Sequence, residues 1–319
     1  MNNTLSLGID TSNYKTSVAL VNQQGEILFN HQQLLHVKKG ERGLRQSDAL
    51  FQHVQNLPAV FEKLFSMDGQ PGLENLRQRI GAVSVSTRPR PVEGSYMPVF
   101  TAGQGYGRAL AGALGVPLYE FSHQEGHIEA IRHYSELADA NPLICFHFSG
   151  GTTEALLVDG ERFEIVGGSK DLAYGQVLDR IGVALGLEFP CGEALDRIAM
   201  ASEGHPQIFT KIRVKDGYVN LSGIETQGQR LLREYPQMQL IDDLFEKLSQ
   251  SIMEMTLQLS SKYSIQNFIY AGGVSCSQYM RQYLVDHLYR DLHIVFGKSE
   301  LSSDNAIGVA LLGGKNLWR

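Results

Sequence analysis

His123 and His127 stand four residues apart in the segment His123–Gln124–Glu125–Gly126–His127. On a helix, positions i and i+4 lie about 40° apart around the axis, so both imidazoles would share one face. Two imidazoles so placed can hold a transition metal. The chain carries ten histidines, so the spacing alone also fits two ordinary histidines. The segment does separate one metal chemistry from another. A zinc peptidase helix reads H-E-x-x-H, with its general base directly after the first histidine. Here the acid is Glu125, one position later and about 200° around the helix from His123. It points away from the shared face, which makes peptide hydrolysis the weakest of the metal readings.

Three further segments have the composition of anion-binding turns. Ser149–Gly150–Gly151–Thr152–Thr153 joins two apolar stretches, and its exposed N–H groups and hydroxyls suit phosphate oxygens. Asp10–Thr11–Ser12 is the equivalent polar turn in the first half. Each alone fits a plain hairpin turn; two in equivalent places favour a nucleotide. Ala271–Gly272–Gly273–Val274–Ser275 leads from a strand into a helix, where free N–H groups attract anions, although an ordinary strand-to-helix turn reads the same way. Ser302–Ser303–Asp304–Asn305 opens the last expected helix. It reads either as a helix cap or as the source of a carboxylate, Asp304, completing a two-histidine, one-carboxylate metal site. Asp179 and Asp196 flank Pro190–Cys191–Gly192. They are either surface charges beside Arg180 and Arg197 or acceptors for ribose hydroxyls.

Composition bounds what such groups act on. The 319 residues carry 28 basic and 34 acidic side chains, a net charge of −6. The chain as a whole does not attract nucleic acid, so RNA would need a local basic patch or a basic partner. Lys38, Lys39, Arg42, Arg45, Arg88 and Arg90 make the first third locally basic. A hydrophobic content of 43% excludes disorder. No apolar run approaches the ~18 residues of a membrane span, and no basic residue precedes Lys15, so no signal peptide is expected. Three unpaired-looking cysteines, Cys145, Cys191 and Cys276, suit a reducing compartment, and a cytoplasmic location is expected.

The elements that must position these groups come in a duplicated pattern. Strands are expected at 5–10, 16–21 and 26–29, and again at 143–148, 154–158 and 163–166, each triplet joined by turn-forming residues. Helices and strands then alternate. In the first half the pattern predicts a helix at 46–66, a strand at 80–86, a helix at 102–114, a strand at 117–121 and a helix from 123. In the second it predicts helices at 171–186, 193–202 and 238–262, a strand at 267–271, a helix at 275–288, a strand at 292–296 and a last helix from 304. Residues 204–237 read as irregular. Two such series imply an α/β fold of two similar lobes, with ligand loops facing a cleft between them. Lobe I is expected over 1–138 plus 300–319 and lobe II over 139–299.

Taken in order, these pieces resemble the tRNA threonylcarbamoyladenosine transferase family, also called the glycoprotease or O-sialoglycoprotein endopeptidase-like (M22) family. The resemblance covers nearly the whole chain: H-x-E-G-H at His123–His127, S-G-G-x-T at Ser149–Thr153, D-x-A-x-G-x-x-x-D over Asp171, Ala173, Gly175 and Asp179, L-G-L-x-[YF]-P-x-G at Leu185–Gly192, S-G-[LI]-x-T at Ser222–Thr226, A-G-G-V-S at Ala271–Ser275 and D-N at Asp304–Asn305. It implies the actin-like ATPase and sugar-kinase superfold with duplicated ribonuclease H-like lobes. It implies one divalent metal, iron or zinc, on His123, His127 and Asp304. It implies an adenine nucleotide, ATP or threonylcarbamoyl-adenylate, cradled by His147, Phe148, Ser149, Gly150 and Gly151, with Asp179, Gly192 and Asp196 on the ribose and base side and Ser277 where the family has asparagine. The implied reaction is acyl transfer from the adenylate to the adenosine beside the tRNA anticodon, with tRNA and accessory protein subunits as partners and no membrane.

The chain also departs from the family pattern. An acidic position of E-T-S-C-D-E-T is Lys15, the histidine of S-G-G-H-T is Thr152, the lysine of S-G-L-K-T is Glu225, and a Gly-Pro-Gly loop is Thr87–Arg88–Pro89–Arg90–Pro91. These differences point to a divergent paralogue. The alternatives are a nucleotide-binding scaffold or regulator, a transferase with another carbamoyl acceptor, and a sugar-kinase relative.

Overall fold

Alternation decides which face of the first strand meets which helix. Leu5, Leu7 and Ile9 are fully buried and pack with Val83, Val85, Leu57, Val60 and Leu64. The intervening Ser6, Gly8 and Asp10 must then point to the opposite face. There Ser6 Oγ donates to the Ala310 carbonyl at 2.7 Å. Asp10 is thereby directed away from the apolar core and toward the same side as the chain's last helix.

The computed structural model describes residues 5–12, 14–37, 44–160, 162–202, 204, 207–288, 290–297 and 306–318. The chain divides into two units, Met1–Tyr134 with Glu300–Arg319, and Ser135–Ser299. The first unit contains β1 (Leu5–Ser12), β2 (Lys15–Val21), β3 (Ile27–Leu34), α1 (Gln46–Phe65), α2 (Leu76–Arg79), β4 (Ile80–Arg88), α3 (Phe100–Leu114), β5 (Leu118–Ser122) and α4 (His123–His133). It is completed by α10 (Ala306–Leu317). Its sheet runs β3-β2-β1-β4-β5, antiparallel through the first three strands and parallel through the last three. On the face opposite the main core, Ala306, Ile307, Ala310 and Leu311 of α10 pack on Ala19 and Val21.

The second unit contains β6 (Leu143–Phe148), β7 (Thr153–Asp159), β8 (Arg162–Ser169), α5 (Tyr174–Ala184), α6 (Gly192–Met200), β9 (Tyr218–Val219), α7 (Ser222–Leu231), α8 (Gln237–Tyr263), β10 (Asn267–Ala271), α9 (Gln278–Leu288) and β11 (His293–Phe296). Its sheet runs β11-β10-β6-β7-β8-β9. Read from β8 to β11, the order and the strand directions repeat those of the first unit. Phe146, Phe148, Tyr174, Phe268 and Tyr270 form an aromatic layer at its centre, with Phe146 and Tyr270 stacked at 5.2 Å.

The structure differs from the sequence expectation in three places, the first being the short α2. Residues 204–237 contain β9 and α7 where an irregular segment is expected. Serine, glycine and glutamine in 222–229 weaken the helical pattern, yet Ile224, Gly228 and Leu231 fall on one buried face, and tertiary packing overrides propensity. The helix expected from 275 begins instead with a 3₁₀ turn at Gly273–Cys276, and α9 starts at Gln278. Among the described residues no helix is long and apolar enough to cross a membrane.

Candidate functional site

Helix α4 is polar in sequence and buried in the fold. Gln124 through Ile131 are all buried, Glu125, His127 and Glu129 among them. Burying such groups is costly unless each is satisfied, so their partners define the site. The start of the helix is fixed by a capping box. Ser122 Oγ accepts from Glu125 N at 3.1 Å, and Glu125 Oε2 accepts from Ser122 N at 2.6 Å. Glu125 thus serves as a helix cap, its carboxylate turned to the Ser122 amide. The substituted loop docks on the same turn: Gln124 N donates to the Pro89 carbonyl at 3.1 Å, and Arg88 reaches Glu125 Oε2 at 3.5 Å.

His123 and His127 come together as the spacing predicts, their rings 4.7 Å apart and nearly perpendicular. His123 Nδ1 lies 3.0 Å from Asp10 Oδ1, and the Ser86 hydroxyl donates to that same oxygen. Burial alone would raise the Asp10 carboxyl. The charge and hydrogen bond of His123, the Ser86 hydroxyl and the charge of His53 outweigh it and hold the group below the ordinary carboxylate range. A carboxylate only accepts, so it is the His123 Nδ1 hydrogen that is donated across this contact. Among the described residues no three histidine, cysteine or acidic side chains form a metal cage; Asp304, the third expected ligand, lies outside the described residues. Two adjacent imidazoles, one oriented by a carboxylate, are a donor set that fits iron or zinc.

The last helix is tied to α4 at two points. A Cβ on Gly308 would overlap the Gly126 carbonyl, so the two backbones touch. Two turns further along the last helix, Lys315 Nζ lies 2.6 Å from Glu129 Oε1. His53, fully buried behind the β1–β2 turn, joins the Ser12 carbonyl at 2.7 Å and Thr16 Oγ1 at 2.8 Å. Burial lowers its pKa, against the opposing effects of the Ser12 carbonyl and Asp10.

In the second unit the motifs converge on the Ser149–Thr153 turn. Ser149 Oγ accepts from Gly151 N at 3.3 Å and Thr152 N at 3.0 Å. Gly150 and Gly151 have open space where a Cβ would stand. Gly175, in the first turn of α5, does not: a Cβ there would come 2.6 Å from Gly150 Cα. Tyr174 N donates to Thr153 Oγ1 at 3.0 Å. The start of an eleven-residue helix therefore abuts the glycine turn, an arrangement suited to an anion. Phe148 is 1% exposed with its ring in the core, so only its backbone can face a ligand, whereas His147 alternates to the other face of β6. Gly272 sits at φ +90° against the Phe148 carbonyl, which gives the Ala271–Ser275 motif a packing role.

Asp179 Oδ1 accepts from Cys191 N at 2.8 Å, holding the turn before Gly192; burial raises its pKa against that hydrogen bond. Asp196 receives Gln278 N at 2.8 Å and Tyr279 N at 3.2 Å, and the Ser277 hydroxyl donates to it. Asp196 and Ser277 together cap α9. Asp171 receives Leu221 N at 2.7 Å, Ser222 N at 3.1 Å and Ser222 Oγ at 2.6 Å, joining two motifs separated in sequence. Asp10 as the partner of His123, Lys315 as the partner of Glu129, and Asp171 as an organising carboxylate are missed by sequence reasoning. The one available signal was an acid at the end of an otherwise apolar strand.

A family model described as tRNA N6-adenosine threonylcarbamoyltransferase (TsaD) matches residues 26–311. The chain belongs to this family. A relative from Riemerella anatipestifer with that description is 30% identical over 98% of this chain and 92% of its own length. One from Syntrophomonas wolfei is 29% identical over 96% and 90%. Among solved structures, HypF of T. kodakarensis aligns with a TM-score of 0.64 at 13% identity, over 98% of this chain and 48% of that one. Component A of the Acidaminococcus fermentans (R)-2-hydroxyglutaryl-CoA dehydratase gives 0.56 at 15%, over 99% and 100%. A ROK hexokinase of Thermus thermophilus gives 0.54 at 15%, over 98% and 99%. These likenesses show the fold, that of the actin-like ATPases and sugar kinases.

Within the threonylcarbamoyltransferase family this chain's departures are engaged locally. Lys15 Nζ donates to Gln32 Oε1 at 2.7 Å. Glu225 accepts from Gln229 at 3.2 Å and lies 4.0 Å from Arg180. Thr152 closes the Ser149 turn through its backbone.

Proposed function

We propose that this chain is a metal- and adenine-nucleotide-dependent acyltransferase. It moves a threonylcarbamoyl group from threonylcarbamoyl-adenylate to the exocyclic amine of the adenosine beside the tRNA anticodon. The observation that carries the reading is the family match over residues 26–311. In the reaction the amine attacks the carbonyl carbon of the mixed anhydride, the carbon–oxygen bond to phosphate breaks, adenylate leaves and the amine loses a proton.

His123, His127 and Asp304 would hold the metal, iron or zinc. Bound there, it would supply Lewis acidity toward the adenylate and acyl oxygens. The Gly150 amide, on the open side of a turn whose Ser149, Gly151 and Thr152 amides are engaged internally, and the start of α5 would receive the phosphate that becomes the leaving group. His147 and Phe148 would contribute their backbone to that cradle, and Asp179, Gly192, Asp196 and Ser277 would line the ribose and base side. The reading includes tRNA and accessory protein subunits as partners and a cytoplasmic location.

The test is transfer of labelled threonylcarbamoyl from its adenylate to tRNA. The wild-type protein is expected to label the tRNA and His123→Ala to lose the activity. Absence of transfer with every partner combination overturns the proposal. A second reading, an enzyme acting on another carbamoyl acceptor or a nucleotide-holding scaffold, is favoured by Lys15 and Glu225, which reverse the charge of two family positions. Metal analysis and bound-nucleotide mass spectrometry on anaerobically purified protein separate the scaffold from either enzyme, since a scaffold needs no metal, and the transfer assay with tRNA separates the two enzymes.

A further inference from the structure

We infer that Asp10 is a positioning residue for the metal site: anchored by Ser86, its carboxylate fixes the His123 ring in the tautomer and orientation that present Nε2 to a metal. The inference rests on the reading of His123 and His127 as ligands.

The argument is geometric. Asp10 is 1% exposed and sits near the end of β1, on the face that alternation turns from the apolar core. A carboxylate buried so deeply costs several kcal/mol unless it is paired and hydrogen-bonded. Both of its observed donors converge on one oxygen, Oδ1: the Ser86 hydroxyl from β4 and His123 Nδ1 from α4. The β1–β4 pairing places Ile9 opposite Val85, which brings Ser86 alongside Asp10. The Ser122–Glu125 capping box sets the first turn of α4, so His123 is held at its backbone as well as at its ring. The remaining titratable group whose charge reaches Asp10 is His53 of α1. A carboxylate on the far nitrogen of a ligating histidine fixes its tautomer and raises its basicity, and loss of such a partner weakens metal affinity by roughly 10–100-fold. A purely structural Asp10 would alter stability and leave affinity in the folded protein unchanged.

Asp10→Asn separates these roles, since the side chain keeps its shape while its charge is gone and its amide can turn a donor as well as an acceptor toward the ring. The probe is Zn²⁺ alone, titrated into metal-free full-length protein in competition with a chromophoric chelator. Circular dichroism verifies the fold, and ¹⁵N–¹H correlation of the His123 ring reads the tautomer without metal. Wild-type protein is expected to show Nδ1 protonated and Nε2 bare. Asp10→Asn is expected to lose about 10–100-fold in Zn²⁺ affinity and to show a mixed tautomer. Should Asp10→Asn fail to fold, Ser86→Ala, which frees the carboxylate to move, is expected to weaken Zn²⁺ binding and mix the tautomer as well. Unchanged affinity with an unchanged ring, or a wild-type ring protonated at Nε2, overturns the inference. Zn²⁺ bound no more tightly by wild type than by His127→Ala overturns the metal reading instead, and the apo ring spectrum still reports on Asp10 by itself.

Discussion

Gly308 lies against Gly126 so closely that a Cβ on Gly308 would overlap the Gly126 carbonyl. Gly308 is therefore a packing residue, its backbone set directly against that of the H-x-E-G-H segment. Gly308→Ala must separate the helices. Overpacking of this kind costs about 1–3 kcal/mol, visible as a lower urea midpoint, and Zn²⁺ affinity is expected to fall with it. Gly112→Ala, on an exposed position of α3 with open space at its Cβ, serves as the control and is expected to stabilise by about 0.5–1 kcal/mol. Equal effects of the two substitutions would show that helix contact is not the cause.

Lys315 and Glu129 provide the second tie between these helices. The Glu129 side chain is 3% exposed and that of Lys315 is 42%, so one partner is buried and the other reaches water. Removing the lysine leaves a buried carboxylate without its ion-pair partner, which costs about 1–3 kcal/mol. Lys315→Met is therefore expected to lower the denaturation midpoint, and Lys315→Met combined with Glu129→Gln to recover part of the loss. A double variant less stable than Lys315→Met alone would refute the account.

Asp171 ties the 169–172 segment to the start of α7. Burial opposes ionisation, but the Ser222 hydroxyl and the Leu221, Leu172 and Ser222 amides outweigh it and lower the carboxyl from 3.8 to about 2. A depressed folded-state value contributes stability that is full above the unfolded value and lost as pH falls through the folded one. Wild-type protein is thus expected to lose this contribution between about pH 4 and pH 2, and Asp171→Asn to be less stable at neutral pH with a shallower loss over that window. Parallel acid denaturation curves would sink the assignment.

How much of this was legible depended on sequence distance. The histidine pair and the glycine turns are local patterns, because a helix face or a hairpin is set by residues a few positions apart. The two strand triplets followed from runs of apolar residues broken by turn formers, whereas the place of the later parallel strands beside β1 and β6 was not legible. Asp10 could be read as part of a turn but not as the partner of His123, because that contact spans 113 positions and exists only once β1 and α4 are folded. Glu125 illustrates the opposite case: its distance around the helix from His123 argued against a peptidase, and the capping box supplies the role it does have. α7 escaped because its polar and glycine residues hide a narrow buried face. Phe148 and Gly272 sit in motifs read as ligand-facing, yet the Phe148 side chain and the Gly272 backbone pack inward.

Gly175 and Gly150 differ in a way that tests the nucleotide cradle directly. A Cβ on Gly175 would press on Gly150 Cα at 2.6 Å and on the Ser149 carbonyl at 2.7 Å, whereas a Cβ on Gly150 meets nothing within 4 Å. Gly175→Ala must push the turn off the start of α5, moving the Gly150 amide from the helix terminus that would share its anion. Gly150→Ala leaves the turn in place and adds only a methyl group on its open side. If phosphate is held by the combined amides of turn and helix, Gly175→Ala is expected to weaken ATP binding at least about tenfold, a loss of about 1.4 kcal/mol. Gly150→Ala should lose less, and only by contact with the ligand. Isothermal titration with ATP measures both, and circular dichroism verifies the fold. A Gly175→Ala protein that folds and binds ATP as wild type does would mean that the turn and the helix start do not act together, and the cradle would have to be sought elsewhere in the second unit.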